Sequence, residues 1–219
     1  MLDDRILTFA PDIQRRLTQT IRQLFAPEDR VLQSVRTNTL AHGMPEIQIR
    51  PEEGKMLQFL AALIGARRIL EIGTLAGYSG IWLARGLPPG GTLITLELDP
   101  RHAQIARQHF ALAGVSDRVQ IMEGDAAASL ERLAQAEPFD MVFIDANKED
   151  NPAYLAGALE HVRSGGLITA HNAFREGHLY EDNPKSNVTR AFLEALAAHS
   201  GLISTVIPVG DGLAAALVK

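Results

Sequence analysis

The sequence has no cysteine in its 219 residues, which excludes disulfides, thiolate zinc sites and cysteine nucleophiles. No apolar run approaches the ~20 residues that span a bilayer. The longest nearly apolar stretches are FLAALIGA (59–66) and GLAAALV (212–218). Positive charge is not in excess. Asp and Glu number 26 against 21 Lys and Arg, a net charge of −5. That balance does not describe a general polyanion binder. The opening MLDDRILTFAPDIQRRL begins with acids and lacks the apolar centre of a secretory signal. With these absences, and without cysteine, the expected location is the cytoplasm. There is no internal repeat and no low-complexity tract. Hydrophobic residues at 46% and charged residues at 21% are ordinary globular composition. One α/β domain over 1–219 is expected at this length.

Within that domain the pattern changes once. In residues 3–40 the apolar positions Ile6, Leu7, Ile13, Leu17, Ile21, Leu24 and Phe25 recur at spacings of three and four. They predict amphipathic helices broken at Pro11 and Pro27. Residues 1–43 are therefore read as an N-terminal helical segment. AHGMPEIQIRP (41–51) is a linker into a core spanning 44–219. Helices are predicted over 52–66, 77–87, 100–114, 125–135, 151–165 and 186–200. Strands are predicted over 67–73, 91–99, 118–124, 139–145, 165–171, 203–209 and 212–219. Such alternation describes a doubly wound, mostly parallel sheet. The last two strands are joined by Gly210 and Asp211 alone, which predicts antiparallel pairing.

The first strand–turn–helix reads ILEIGTLAGYSG (69–80), with Gly73 turning the chain off the strand and Gly77 opening the helix. The dinucleotide fingerprint G-x-G-x-x-G is missing, because Leu75 and Ala76 stand where it requires otherwise; a nicotinamide oxidoreductase is thereby disfavoured. Glu71, before the first glycine, can reach a ligand's cationic amine, whereas a diphosphate would be repelled. Glu97 follows Gly73 by 24 residues, near the ~20 expected of an acid that grips ribose hydroxyls. Together these residues describe a nucleoside pocket for a positively charged ligand, and S-adenosylmethionine (SAM) fits. Leu98, beside Glu97, is placed in the same pocket. Asp125, ending the third strand, either meets the adenine amine or caps the next helix. Asp145 and Lys148 follow the fourth strand and His171 and Asn172 the fifth, all at the edge where such sheets bind ligands. Asp145, His171 and Asn172 are candidate ligands for a small divalent cation. Asp145 with Lys148 is either a ligand with a general base or only an ion pair.

The segments MPEIQIRPEEGKML (44–57), LEIGTLAGYSGIWLA (70–84), LITLELDP (93–100), FIDANKEDNPAYL (143–155), HNAFREG (171–177) and VGDGLAAALV (209–218) resemble, in order and spacing, the cation-dependent O-methyltransferases of the catechol and caffeoyl-CoA type, especially small bacterial members. The resemblance runs from about residue 30 to 219. It implies a Rossmann-like class I SAM-dependent methyltransferase sheet of seven strands, order 3-2-1-4-5-7-6, with strand 7 antiparallel. It places Ile49, Glu71, Gly73, Tyr78, Ser79, Glu97, Ala126 and Asp145 around SAM. It places the cation (Mg²⁺, Mn²⁺ or another) on Asp145, His171 and Asn172, and makes Lys148 the general base. It also implies a homodimer, with the N-terminal helices covering the pocket of a small phenolic acceptor.

Two positions depart from that pattern. His171 stands where the family usually has Asp, which removes one negative charge and favours Mn²⁺, Fe²⁺ or Zn²⁺ over Mg²⁺. Ala214 stands where the animal catechol enzymes carry Glu. Two other functions stay open. One is methylation of a hydroxylated uridine in tRNA, with Arg15, Arg16, Arg22, Arg30 and Arg36 touching phosphates. The other is a SAM-binding protein without catalysis.

Overall fold

The computed structural model describes residues 10–219; Ile6 and Leu7 lie outside them. The first helix, α1 (Pro11–Phe25), begins on a proline whose fixed φ suits a first helical position. Its Ile13, Leu17, Ile21 and Leu24 form one stripe, and all four are exposed. In α2 (Arg30–Ala41), the Asp29 carboxylate accepts from the Leu32 N–H at 2.9 Å and caps the helix. Two of the five arginines considered for phosphate contact are tied within the fold. Arg22 pairs with Glu52 at 2.6 Å and Arg36 with Glu28 at 3.0 Å.

The core then alternates as expected: α3 (Pro51–Leu63), β1 (Arg68–Ile72), α4 (Tyr78–Gly86), β2 (Thr92–Glu97), α5 (Pro100–Leu112), β3 (Val119–Glu123), α6 (Ala126–Leu133), β4 (Phe139–Ile144), α7 (Asn151–His161), β5 (Val162–Ala170), α8 (Pro184–Ala198), β6 (Leu202–Ile207) and β7 (Leu213–Val218). The seven strands form one sheet in the order β3-β2-β1-β4-β5-β7-β6. β1 through β5 pair in parallel, and β7 runs antiparallel to both β5 and β6. Strand periodicity of two sends successive residues to opposite faces. Ile69, Leu93 and Phe143 pack with Leu57, Ile81 and Leu83 on one face. Leu70, Ile72 and Val142 pack with Leu155, Ala158 and Phe192 on the other. Both faces are thus covered, as a parallel sheet requires.

Two boundaries differ from the sequence reading. The helix expected over 151–165 ends at His161, and β5 starts at Val162. Val162 is extended (ψ 138°) and pairs with Phe139, but the register breaks before Met141 meets Leu167. The intervening Gly165 takes φ +72°, so the strand absorbs an irregularity that reads locally as a helix end. The final hairpin is antiparallel as expected, with β6 ending at Ile207 and β7 beginning at Leu213, so its turn is longer than two residues. No helix among the described residues is long and apolar enough to cross a membrane.

Candidate active site

A cleft of about 900 Å³ opens at the carboxyl edge of the parallel strands. The turn from β1 to α4 gives it Gly73, Tyr78 and Ser79, and the end of β2 gives Glu97 and Leu98. Asp125 and Ala126 follow β3, Asp145 and Lys148 follow β4, and His171 and Asn172 follow β5. Ile49 closes the side before α3. Of the described part of the N-terminal segment, Arg36 alone lines the wall.

Glu71 and Gly77 are not on that wall. The β1–α4 turn explains both. Gly73 has φ +105°, and a Cβ there would collide with the Asp145 carbonyl oxygen, so the turn lies directly against the end of β4. Gly77 (φ +84°) is the N-cap of α4 and backs onto Phe110, where an added Cβ would lie 3.0 Å from the ring. Glu71 shares the face of β1 occupied by Ile69 and is fully buried under α4. Its carboxyl accepts from Ser79 at 2.5 Å and from Thr95 at 2.7 Å. Burial pushes its pKa up to about 8; the two hydroxyl hydrogen bonds only partly oppose this. Glu71 therefore holds Ser79 from behind.

Glu97 lies on the wall and also orders it. One oxygen accepts from the Leu75 N–H at 2.7 Å and the other from the Asp99 N–H at 3.0 Å. The first bond fixes Leu75 in an unusual left-handed conformation, φ +48°. Asp125 caps α6 by accepting from the Ala128 N–H at 3.0 Å, while still facing the cleft. Gln48, which sequence reasoning missed, lines the same wall. Both ends of its amide are shielded from solvent and make no hydrogen bond within the protein. A polar ligand is the natural partner for such a group. The acid-lined wall, the orphaned Gln48 amide and the close-approach glycine turn fit a cationic nucleoside such as SAM.

The other end of the cleft is more tightly connected than the sequence indicates. Asp145 Oδ1 accepts from Lys148 Nζ at 3.0 Å and faces His171 Nδ1 at 3.3 Å. His171 Nε2 lies 2.9 Å from Glu53 Oε1. Glu53, at N3 of α3, also accepts from the N–H groups of Arg50 and Asp211 at 2.6 and 2.7 Å. Burial alone would lower the His171 pKa, but the carboxylates of Asp145 and Glu53 outweigh it and raise it to about 9. Against the opposing effect of burial, Lys148 and His171 hold Asp145 far below the usual carboxylate range. His171 likewise holds Glu53 low. Asn172 adopts φ +63°, and its Nδ2 donates to Asp211 at 2.9 Å. Sequence reading missed Glu53 and Asp211, because one resembles a helix-start acid and the other a hairpin-turn residue.

The donor set does not fit a divalent cation as expected. Asp145, His171 and Asn172 all line the cleft, but both imidazole nitrogens face carboxylates, at 3.3 and 2.9 Å. Among the described residues no group of three or more His, Cys, Asp or Glu is arranged to hold a metal.

The family model for O-methyltransferases matches residues 22–219 of this chain. A catechol O-methyltransferase from Niastella koreensis is 45% identical over 210 residues, 91% of this chain and 95% of that protein. A catechol O-methyltransferase from Mycobacterium tuberculosis is 41% identical over 216 residues, 95% of this chain and 96% of that protein. Among solved structures, the O-methyltransferase from Bacillus cereus in complex with SAH superposes with a TM-score of 0.87 at 40% identity, covering 93% of this chain and 97% of that one.

Proposed function

The chain belongs to the O-methyltransferase family, and from that premise we propose that it is a cytoplasmic enzyme moving a methyl group from SAM to a hydroxyl of a small catechol-like phenol. The observation that carries this reading is the single cleft joining an acid-lined nucleoside wall to the Asp145–Lys148 pair. When bound, SAM supplies an electrophilic sulfonium methyl group. Glu97 holds the ribose, and Asp125 and Gln48 offer further polar contacts to the nucleoside. Gly73 permits the close backbone approach that any larger residue would prevent. Lys148 takes the proton of the acceptor hydroxyl, and the ammonium so formed is held by Asp145. Holding the acceptor oxygen in line in a cleft shielded from water supplies a large share of the acceleration.

The N-terminal helices serve two further purposes in this reading. Arg36 on the cleft wall supports a lid role for the segment around it. The exposed apolar stripe on α1 supports a homodimer contact. The decisive experiment is transfer from labelled SAM to catechol, with the methyl ether identified by mass spectrometry. Absence of label in catechol and in related vicinal diols sinks the acceptor assignment.

A further inference from the structure

His171 bridges two carboxylates on a chain of buried groups, with Glu53 on one side and Asp145 on the other. A neutral imidazole carries one N–H and one lone pair, so it can donate to only one carboxylate. A ring that faces carboxylate oxygens at both nitrogens, at 3.3 and 2.9 Å, turns neither nitrogen to an ion in the cleft. We propose that this ring, braced by Glu53, stands in place of the divalent cation, so that methyl transfer proceeds without a metal and Glu53 is the positioning residue that makes this possible. The inference deepens the methyltransferase reading and rests on it.

Three observations support the replacement. The first is rigidity. Glu53 is 2% exposed and is fixed by backbone N–H groups from two distant segments, at Arg50 and at Asp211. The turn at Gly210 lies so close over its carboxylate that a Cβ there would overlap it. Glu53 cannot swing aside to free the ring. The second is the donor set. An ion in the cleft would find one carboxylate, that of Asp145, where hard cations are usually given several oxygens. The third is occupancy. Lys148 and the ring share one oxygen of Asp145, and the Asn172 amide nitrogen is turned to Asp211, which also accepts from the Glu176 N–H at 2.6 Å.

The test begins with chelator-treated wild-type protein and SAH. Titration of Mn²⁺, followed by the EPR signal of the free ion, should show no uptake by the wild type. His171→Asp, which introduces a second carboxylate, should take up the ion. Methyl transfer by the wild type should be unchanged by chelator. That of His171→Asp should fall about 10-fold with chelator and return with Mg²⁺. In Glu53→Gln, kcat should fall about 10-fold with SAH affinity unchanged, and the His171 ring signals should shift in the NMR spectrum. Uptake of a full equivalent of Mn²⁺ by the wild type overturns the proposal, as does loss of its activity on chelation and recovery with a metal. If no phenol is methylated under any condition, the acceptor reading fails, while the Mn²⁺ titration still decides what fills the site. The wild-type measurements stand even if a variant does not fold.

Discussion

The Ser79 hydroxyl donates to Glu71 across 2.5 Å, behind the cleft wall rather than within the cleft. Burial, which that bond only partly opposes, makes Glu71 an interior acid whose proton is tightly held, with a pKa of about 8 against an ordinary 4.5. Between those values the folded protein binds a proton that the unfolded chain has released. Stability should therefore fall as pH rises from about 4.5 to about 8. Glu71→Gln, which never ionises, should remove that loss. Denaturant unfolding at pH 5 and pH 8 tests this: the variant should gain on the wild type at the higher pH. An equal difference at both pH values counts against it.

Glu97 is expected to hold the ribose by charge-assisted hydrogen bonds, each worth about 1.5–3 kcal/mol. Glu97→Ala should weaken SAH binding by about 10- to 100-fold. Calorimetry returning the wild-type affinity would reject the ribose role. Because Glu97 also holds Leu75 and Asp99, a crystal structure of the variant should show the β1–α4 turn displaced.

Lys148 should matter to turnover and not to cofactor affinity. Lys148→Met should lower kcat by about 10²- to 10⁴-fold, the usual contribution of a positioned acid–base group. Lys148→Arg should not rescue it, because a guanidinium does not accept a proton at working pH. Steady-state kinetics with parallel SAH titrations separate the two effects. A variant with normal kcat would remove Lys148 from the reaction.

The exposed stripe on α1 should lie in a contact between two copies of this chain. Leu17 is 43% exposed and Leu24 is 68% exposed, on a helix that also contacts α3. Leu17→Glu should convert a dimer to a monomer in light scattering at micromolar concentration. A wild-type protein that is already monomeric there would refute the contact.

The sheet was legible because its signals are local. RILEI, TLITLE and FDMVFI are short, apolar but for one to three residues each, and flanked by helical periodicity. Gly73, Glu97, Asp125 and Asp145 were legible because each sits at a strand end, and strand ends in this topology share one edge. What could not be read is lateral. Glu71 looks like a ligand contact in one dimension, and only the sheet's alternation turns it inward. His171 looks like a metal ligand on its own, and its contact with Glu53, 118 residues earlier, leaves no trace in the local sequence. Gln48 gave no signal, because its significance is the lack of any partner. The start of β5 was misplaced because Val162 owes its extended form to pairing with Phe139, a tertiary cause that helix periodicity does not register.

The bond from the Asp211 N–H to Glu53 links residues 158 positions apart. During synthesis, the nucleoside wall can be assembled from β1, β2 and β3 while much of the chain is still to be made. Glu53 must wait for the turn before β7, and β7 itself must enter between β5 and β6. The emerging polypeptide therefore acquires the means to hold its methyl donor well before the means to use it. The catalytic end of the cleft is complete only once the last strand has been threaded into place.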